Sequence, residues 1–383
     1  MREDLIFANK TIFPLGQAWR LLPLAFIQTR FSHIVYREFM LHLNKNKTVI
    51  GILLSIVLMI VIGLAIAWPH LHSQIQLPKT SLSYESLIVS DEPIQPIPLK
   101  LDLDEDRVSL GEKLFNDPVL SRDSQLSCIS CHNLKTGGVD GQKVAKGVNG
   151  ELNSSNTLTV FNSGFNFRQH WTGEYKDLLE QVDAHVLDPE VMGANWPDIL
   201  TNLKTEARYL REFTQAYPDG ITRQNVRDAI ATFVQSLYTP NSRFDRFLRG
   251  NSQILTDAEK QGYEMFKAYG CVTCHQGMNV GGNLFQKFGI LGNYFVDRGK
   301  INQADLGRFN VTGDPKDIYV FRVPSLRNVK LTAPYLHDGS AGSLEAAIAI
   351  MAQYQLRPIS SEHIQLIIQF LDTLTGEYEG NPL

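Results

Sequence analysis

The amino-acid sequence predicts a mainly α-helical protein in which two related helical domains follow one membrane-spanning helix. Three observations support this prediction. The chain of 383 residues is too long for one ordinary domain. An uncharged stretch lies near the N-terminus, and one ordered set of short segments occurs twice after it. The composition is globular, since 43% hydrophobic residues suffice to build cores and 20% charged residues to cover them.

Residues 48–68 contain no charged side chain. A helix of that length, at ~1.5 Å per residue, crosses a hydrocarbon core of ~30 Å. Lys45 and Lys47 precede it, and the next positive charge is Lys79. The distribution of basic residues therefore predicts a cytoplasmic segment at 1–47, a single-pass inner-membrane anchor, and a periplasmic body. The alternative is a cleaved signal peptide, whose apolar region is usually shorter, ~7–15 residues.

The segment after the anchor, residues 69–100, is rich in Pro and Ser and lacks helical periodicity, which is typical of a linker. Before the anchor, Met40 offers an alternative start that would leave residues 1–39 outside the protein. Beyond residue 68, 29 Lys and Arg stand against 37 Asp and Glu, a balance of -8. An acidic body argues against nucleic-acid binding and is compatible with a basic protein partner or with a merely solvated surface.

Two units, residues 101–240 and 241–383, contain the same landmarks in the same order. Each has a Gly-x-x-x-Phe segment, a Cys-x-x-Cys-His motif, a Gly pair and a closing amphipathic segment. The paired segments are 111–115 and 262–266, 128–132 and 271–275, 137–138 and 281–282, and 229–239 and 366–376. In the last of these, Ile367, Phe370 and Leu374 form an apolar stripe at helical spacing. A duplicated helical domain explains this order.

All four cysteines belong to the two Cys-x-x-Cys-His motifs, so none remains for a structural disulfide. In such a motif both thiols lie on one side of a short turn, ready for thioether bonds to the vinyl groups of a haem, and the adjoining His reaches the iron. The alternative is one zinc site made by the four thiols. The separation of 143 residues, the adjoining His residues and the predicted export favour haem c. The predicted attachment residues are Cys128, Cys131 and His132, and Cys271, Cys274 and His275.

Residues 101–378 resemble the bacterial di-haem cytochrome c peroxidases. The segments that carry the resemblance are LSCISCHNLKTGGVDG, TLTVFNSGFNFRQHWTGEYKDLLEQ, DPEVMG, GCVTCHQGMNVGGN, YVFRVPSLRNVKLTAPYLHDGS and LEAAIAIM. The resemblance implies two tandem domains of the class I cytochrome c type. It also implies that electrons enter at the C-terminal haem and that the N-terminal haem reduces hydrogen peroxide to water.

The resemblance further implies site residues. The second haem would have His275 and Met351 as ligands, and Met265 and Met278 are less suitable. A thioether ligand raises the haem potential, as an electron-entry site requires. Trp171 occupies the place of the family's inter-haem tryptophan, which as a bare sequence feature is equally a packed indole. Calcium, which prefers oxygen ligands, would be held by Asn156 and the carbonyls of Thr332 and Pro334.

The chain departs from the family on the distal side of the first haem. Peroxide cleavage needs a base to move a proton between the two oxygens. The family's usual Glu is replaced by Val191, and Glu190 is the nearest carboxylate in the sequence. The family's displaceable distal His is replaced by Val148, whereas Gln181 is retained. Candidate catalytic residues are therefore Gln181, Glu190, Trp171 and one further residue, His185.

His185 stands where relatives commonly have Pro. It follows Trp171 by 14 residues, as Met351 follows His337, so the repeat makes it the counterpart of the axial Met. Three interpretations are open. His185 is an axial ligand that must leave before peroxide binds, or a distal base, or an ordinary histidine without a role.

The sequence thus predicts an oxidoreductase of the cytochrome c peroxidase type, with a small cytochrome c or membrane quinol as electron donor. The alternative is a non-enzymatic di-haem electron-transfer protein with its first haem capped by His185. A protein-modifying oxidase like those that mature methylamine dehydrogenase ranks last, since their Tyr is Met351 here. Relatives are often homodimers, so a dimer is an expectation from resemblance alone.

Overall fold

The computed structural model describes residues 92–383, which are mainly helical and form part of one compact unit. The helices are α1 Glu105–Asn116, α2 Cys128–Cys131, α3 Leu178–Leu187, α4 Trp196–Thr205, α5 Ala207–Ala216, α6 Arg223–Ser236, α7 Arg243–Leu248, α8 Asp257–Ala268, α9 Tyr294–Arg298, α10 Phe309–Thr312, α11 Leu344–Tyr354 and α12 Ser361–Asp372. Two antiparallel strand pairs accompany them, β1 Phe285–Lys287 with β2 Val320–Arg322 and β3 Glu377–Tyr378 with β4 Asn381–Pro382.

Helices α1 and α6 cross where α1 has a glycine. A Cβ on Gly111 would lie 2.0 Å from the carbonyl oxygen of Ala229 and 2.7 Å from the Cβ of Phe233. The two backbones therefore meet at a distance that any side chain would prevent. Around this crossing lies the first hydrophobic core, which includes Leu114 and Phe213 at 0% exposure.

Helices α8 and α12 repeat this crossing in the second half of the chain. A Cβ on Gly262 would lie 2.0 Å from the carbonyl oxygen of Leu366 and 3.0 Å from the Cβ of Phe370. Phe370 and Leu374 are fully buried in the second hydrophobic core, as the apolar stripe predicts. The same packing, glycine against backbone and flanked by phenylalanine, thus recurs at the two places that the sequence repeat pairs.

The repeat extends to the loops, at a constant separation of 166 positions. Asn162 and Asn328 both adopt the left-handed backbone conformation, with φ of 62° and 59°. A one-pair bridge joins residues 169 and 175 in one loop, and residues 335 and 341 in the other. The same separation relates α3 to α11, which begin after the N-caps Asp177 and Ser343. Equivalent residues in these two helices therefore have equivalent places in the fold.

The chain segment before α1 is part of the second core. We call residues 92–97 the strap. Its Ile94 and Ile97 are 0% exposed, and Ile94 pairs with Gly277 in a parallel bridge. The folded region therefore begins before residue 100, which shortens the linker predicted at 69–100. The C-terminal end of the chain, which follows the second core in sequence, contacts the first core, since Tyr378 and Leu383 pack against it.

Within residues 92–383, no helix has both the length and the hydropathy that crossing a bilayer requires. The predicted anchor at 48–68 and the predicted cytoplasmic segment at 1–47 lie outside the described residues, as does most of the linker.

Candidate haem sites and the residues between them

The first Cys-x-x-Cys-His motif forms helix α2, a single turn. The backbone N–H of His132 donates to the carbonyl of Cys128 at 2.9 Å, which closes the turn. Cys128 and Cys131 are both free thiols, and burial raises the pKa of Cys128 to about 12, so its neutral form is favoured. The ring Nδ1 of His132 lies 3.2 Å from the carbonyl oxygen of Gly138, in the Gly pair that follows the motif.

The second motif has the same construction. The N–H of His275 donates to the carbonyl of Cys271 at 2.9 Å, and Cys271 and Cys274 are free thiols. Nδ1 of His275 lies 3.3 Å from the carbonyl oxygen of Val280, and burial lowers the pKa of His275 to about 4. Gly281 is needed here, because a Cβ at its φ of 128° would lie 2.2 Å from the carbonyl oxygen of Pro324.

Both sites fit a c-type haem. When Nδ1 of an imidazole donates to a backbone carbonyl, the ring orientation is fixed and Nε2 is left to bind a metal. Each site also holds two thiols that are not joined in a disulfide, on a turn that presents them together. A zinc site made from all four thiols is disfavoured, because each pair lies beside its own histidine in its own half of the chain.

Helices α3 and α11 bring one candidate residue each to equivalent positions. His185 is the eighth residue of α3 and Met351 is the eighth residue of α11. Nε2 of His185 lies 3.2 Å from Nε2 of Gln181, one helical turn earlier. Burial lowers the pKa of His185 to about 3, and the imidazoles of His170 and His132 add to this shift, so the ring is neutral. The structure therefore places His185 and Gln181 together, and the charge of a protonated His132 would act on His185.

The candidate Glu190 is not part of this group, and the two valines that replace family residues lie together elsewhere. Glu190 is exposed, and its backbone N–H is held by the carboxylate of Asp188 at 2.8 Å. The structure shows no hydrogen bond between its side chain and Gln181 or His185. Val148 is 1% exposed and its N–H donates to the carbonyl of Val191 at 2.9 Å. This hydrogen bond joins the loops that carry the two valines. Neither valine supplies a polar group for the distal side of the first haem.

The sequence does not single out Glu174, a carboxylate whose charge acts on His185. The loop before α3 places Oε1 of Glu174 2.6 Å from Nδ1 of His170, and Tyr175 packs edge-on to the ring of His185. Burial opposes ionisation of Glu174, but its contacts with His170, Thr172 and Tyr175 hold its pKa below the usual range. In the sequence, His170 and Glu174 are four positions apart on either side of Trp171, in a loop whose backbone conformation decides their contact.

Trp171 lies between the two halves. It is 8% exposed, its indole N–H donates to the carbonyl of Asn156 at 2.9 Å, and its ring is 6.4 Å from that of His337. Nε2 of His337 lies 2.7 Å from the buried carboxylate of Asp305, which also pairs with Arg298. Because Arg298 pairs with Asp338 as well, this cluster is a closed ion-pair network.

One of the predicted calcium ligands, Asn156, lies at the same junction. The N–H of Asn156 donates to the carbonyl of His337 at 2.7 Å, and its side-chain amide donates to the carbonyl of Gln142 at 2.9 Å. Within the described residues, no group donates a hydrogen bond to Oδ1 of Asn156 or to the carbonyl oxygens of Thr332 and Pro334. Three oxygens without donors are compatible with a hard cation.

Proteins of known family match most of this chain. A family model described as di-haem cytochrome c peroxidase matches residues 105–253. A cytochrome c551 peroxidase of Nitrosomonas europaea is 38% identical over 76% of this chain and 86% of its own length. A cytochrome c551 peroxidase of Pseudomonas aeruginosa is 37% identical over 72% of this chain and 80% of its own. The chain belongs to the di-haem cytochrome c peroxidase family. This confirms the resemblance and, at the level of the family, an oxidoreductase of the peroxidase type with two haems.

Other relatives extend the comparison. The cytochrome c peroxidase Ccp of Escherichia coli is 42% identical over 75% of this chain, which spans 62% of that protein. A solved MauG-like protein associated with microbial copper homeostasis has a TM-score of 0.64 at 29% identity, over 74% of this chain and 93% of its own. The di-haem peroxidase BthA of Burkholderia thailandensis, with a TM-score of 0.59 at 18% identity over 72% and 87%, supports the fold alone. The predicted mainly helical fold is confirmed.

Proposed function

We propose that this protein is a di-haem peroxidase that reduces hydrogen peroxide to water, with both haems attached as haem c through the Cys-x-x-Cys-His motifs. The reaction takes up two electrons and two protons per peroxide and releases two water molecules. The observation that carries the proposal is the difference between two equivalent helices. Helix α11 presents a thioether, Met351, whereas α3 presents an imidazole and an amide, His185 and Gln181.

This difference supports different roles for the two sites. Met351 with His275 would complete the coordination of the second haem, which leaves it suited to accepting electrons at high potential. The first haem, held at His132, would supply an iron that binds peroxide and takes up electrons. Polar groups that accept and donate protons are needed beside that iron and not beside the other.

The chain's own residues handle the substrate and its protons. The amide N–H of Gln181 can donate to a peroxide oxygen, and the neutral ring of His185 can accept a proton at Nε2 or bind the iron. Glu174 and His170, which lie together at 2.6 Å in the adjoining loop, are better placed than the exposed Glu190 to supply protons. Trp171, packed between the halves, would carry electrons from the second haem to the first.

Two interpretations of His185 are separated by one spectroscopic measurement. An axial imidazole makes ferric haem low-spin, whereas a distal base that stands off the iron leaves it high-spin. We expect the oxidised protein to show a low-spin electron paramagnetic resonance signal from the first haem that disappears in His185→Ala. A high-spin signal in the unmodified protein would exclude ligation and leave two interpretations, a distal base and a histidine without a role.

The equivalence of His185 and Met351 also supports a second candidate, a di-haem electron-transfer protein whose first haem is permanently capped. Steady-state turnover of hydrogen peroxide with a reduced small cytochrome c distinguishes the two. Turnover in the oxidised or the partly reduced protein supports the peroxidase. No turnover in either state, with both haems present, leaves only electron transfer.

Location and further partners are proposed on the sequence alone. An inner-membrane anchor at 48–68 would hold the body in the periplasm, where a small cytochrome c or membrane quinol could serve as donor. Calcium at Asn156, Thr332 and Pro334 and a homodimer follow from the family resemblance. Membrane fractionation of the full chain and metal analysis of the purified protein test these proposals directly.

A further inference from the structure

Two arginines five positions apart, Arg322 and Arg327, are both buried, at 2% and 1% exposure. Arg327 has an opposite charge, because its Nη1 lies 2.7 Å from Oδ1 of Asp245. Within the part of the chain that the structure describes, the side-chain hydrogen bonds of Arg322 go to neutral oxygens. Its Nε donates to the carbonyl of His170 at 2.9 Å and its Nη1 to that of Val323 at 3.5 Å. Among residues 92–383, no carboxylate oxygen lies within 4.0 Å of its guanidinium.

A buried cation without an opposite charge is costly, because desolvation is not offset by attraction to an anion. Burial lowers the pKa of Arg322 to about 10, which still leaves it charged at neutral pH. Buried charges in folded proteins are as a rule paired, so an anion from outside the chain would complete this site. The position of Arg322 therefore points to a negatively charged ligand.

The surroundings of Arg322 identify that ligand. Its backbone N–H donates to the carbonyl of Trp171 at 2.9 Å, so β2 is joined to the loop between the haem sites. Two residues later, the carbonyl of Pro324 packs against Gly281, next to the ring of His275. Haem is a largely apolar ring that carries two carboxylates. A haem held at the second motif, beside the contact between Gly281 and Pro324, could supply the anion that Arg322 lacks.

We propose that the guanidinium of Arg322 binds a carboxylate of the second haem, the one attached at Cys271 and Cys274. This inference rests on the proposed attachment of that haem and is independent of the peroxidase reaction. The pair fixes the orientation of the second haem relative to Trp171. A fixed positive charge beside the haem also favours the ferrous form, which has one positive charge less, and so raises the midpoint potential as an electron-entry site requires.

The test is a redox titration of the purified di-haem protein, followed by optical spectra of each haem. Arg322→Gln removes the charge. We expect at least a tenfold fall in the ratio of ferrous to ferric second haem at a fixed potential, which corresponds to about 59 mV for one electron. Arg322→Lys keeps a charge without the planar fork, and we expect a smaller shift in the same direction.

Arg308→Gln is the matched control. Arg308 also donates to the loop that carries Trp171, at 3.2 Å to the carbonyl of Thr172, but its Nε faces a carboxylate, that of Asp317, at 3.9 Å. Its loss should shift the second haem much less than the loss of Arg322. An unchanged second potential in Arg322→Gln, or a shift confined to the first haem, overturns the proposal.

Should Arg322→Gln fail to accumulate, Arg322→Leu removes the charge without leaving an unpaired polar group, and an unchanged second potential there has the same meaning. Both potentials can be read without hydrogen peroxide. A protein that never turns over peroxide therefore still tests the role of Arg322, which keeps this inference separable from the proposed enzymatic activity.

Discussion

The buried pair of Arg327 and Asp245 provides the sharpest stability prediction. Both side chains are 0% exposed and 2.7 Å apart. Arg327 also donates to the carbonyls of Gln95 and Met278 at 2.9 and 3.0 Å, so it joins the strap to the loop after the second motif. Asp245→Asn keeps the shape of the side chain and removes its charge. The charge of Arg327 then remains buried without compensation.

Removing one partner of a buried ion pair typically costs about 3–5 kcal/mol, because the remaining charge has lost its water and gained nothing. Domains of this kind are stable by roughly 5–15 kcal/mol. We therefore expect Asp245→Asn to lose about 3–5 kcal/mol in the free energy of unfolding, measured by urea titration and far-ultraviolet circular dichroism. Amide hydrogen exchange in the strap should rise as well, since the N–H of Ile97 donates to Asp245 at 3.3 Å.

Asp372→Asn is the control, because its partner Lys330 lies as close, at 2.6 Å, but 55% exposed. An exposed pair contributes about 0–1 kcal/mol. Replacing both buried partners, with Asp245→Leu and Arg327→Met, should recover most of the loss, because no charge remains in the core. A loss under about 1 kcal/mol in Asp245→Asn, equal to that of the control, would refute the reasoning.

Three further predictions concern the crossing of helices α8 and α12, the role of Trp171 between the two halves, and the loss of stability in acid. Gly262→Ala inserts a Cβ 2.0 Å from a backbone carbonyl oxygen and should lower the free energy of unfolding by about 1–3 kcal/mol, measured by thermal unfolding. In the control Gly342→Ala the new Cβ meets no atom within 4 Å, so the free energy of unfolding should change little. Equal losses in the two variants would contradict this prediction. Trp171→Phe and Trp196→Phe each remove a buried indole N–H bond, at about 1–3 kcal/mol, but only Trp171→Phe should slow electron equilibration between the haems in stopped-flow spectra. Equal slowing in both would exclude the role of Trp171. Asp305 is buried, yet Arg298, an Asn302 N–H and His337 lower its pKa below the ordinary 3.8, so its stabilisation is present above about pH 4 and disappears as the pH falls through the folded-state pKa. The stability difference between the unmodified protein and Asp305→Asn should therefore shrink in acid, and a constant difference from pH 7 to pH 3 would count against this assignment.

Much of the site could be predicted because its signals are local. Within Cys-x-x-Cys-His, the spacing alone forces two thiols and an imidazole onto one turn, and the structure adds only the carbonyl that holds each Nδ1. The equivalence of His185 and Met351 was also visible in the sequence, since a constant spacing of 14 residues from Trp171 and from His337 survives into equivalent helices.

Other candidates could not be judged from spacing. Glu190 looked like the substitute for the missing family carboxylate because it is one residue away, but neighbouring residues at the end of a helix point in different directions, and this side chain is exposed. Glu174 was passed over because its approach to His170 depends on the left-handed backbone at that histidine, whose φ is 69°.

The sequence by itself determined the duplicated helical units, the two Cys-x-x-Cys-His turns and the family. These follow from periodicity and short motifs, which are readable along the chain. Only the tertiary structure decided that the strap belongs to the second core, that Asp245 compensates Arg327, and that Arg322 has no carboxylate beside it within residues 92–383. Those facts depend on residues up to 232 positions apart in the sequence, as Gln95 and Arg327 are, and their approach is set by packing rather than by local pattern.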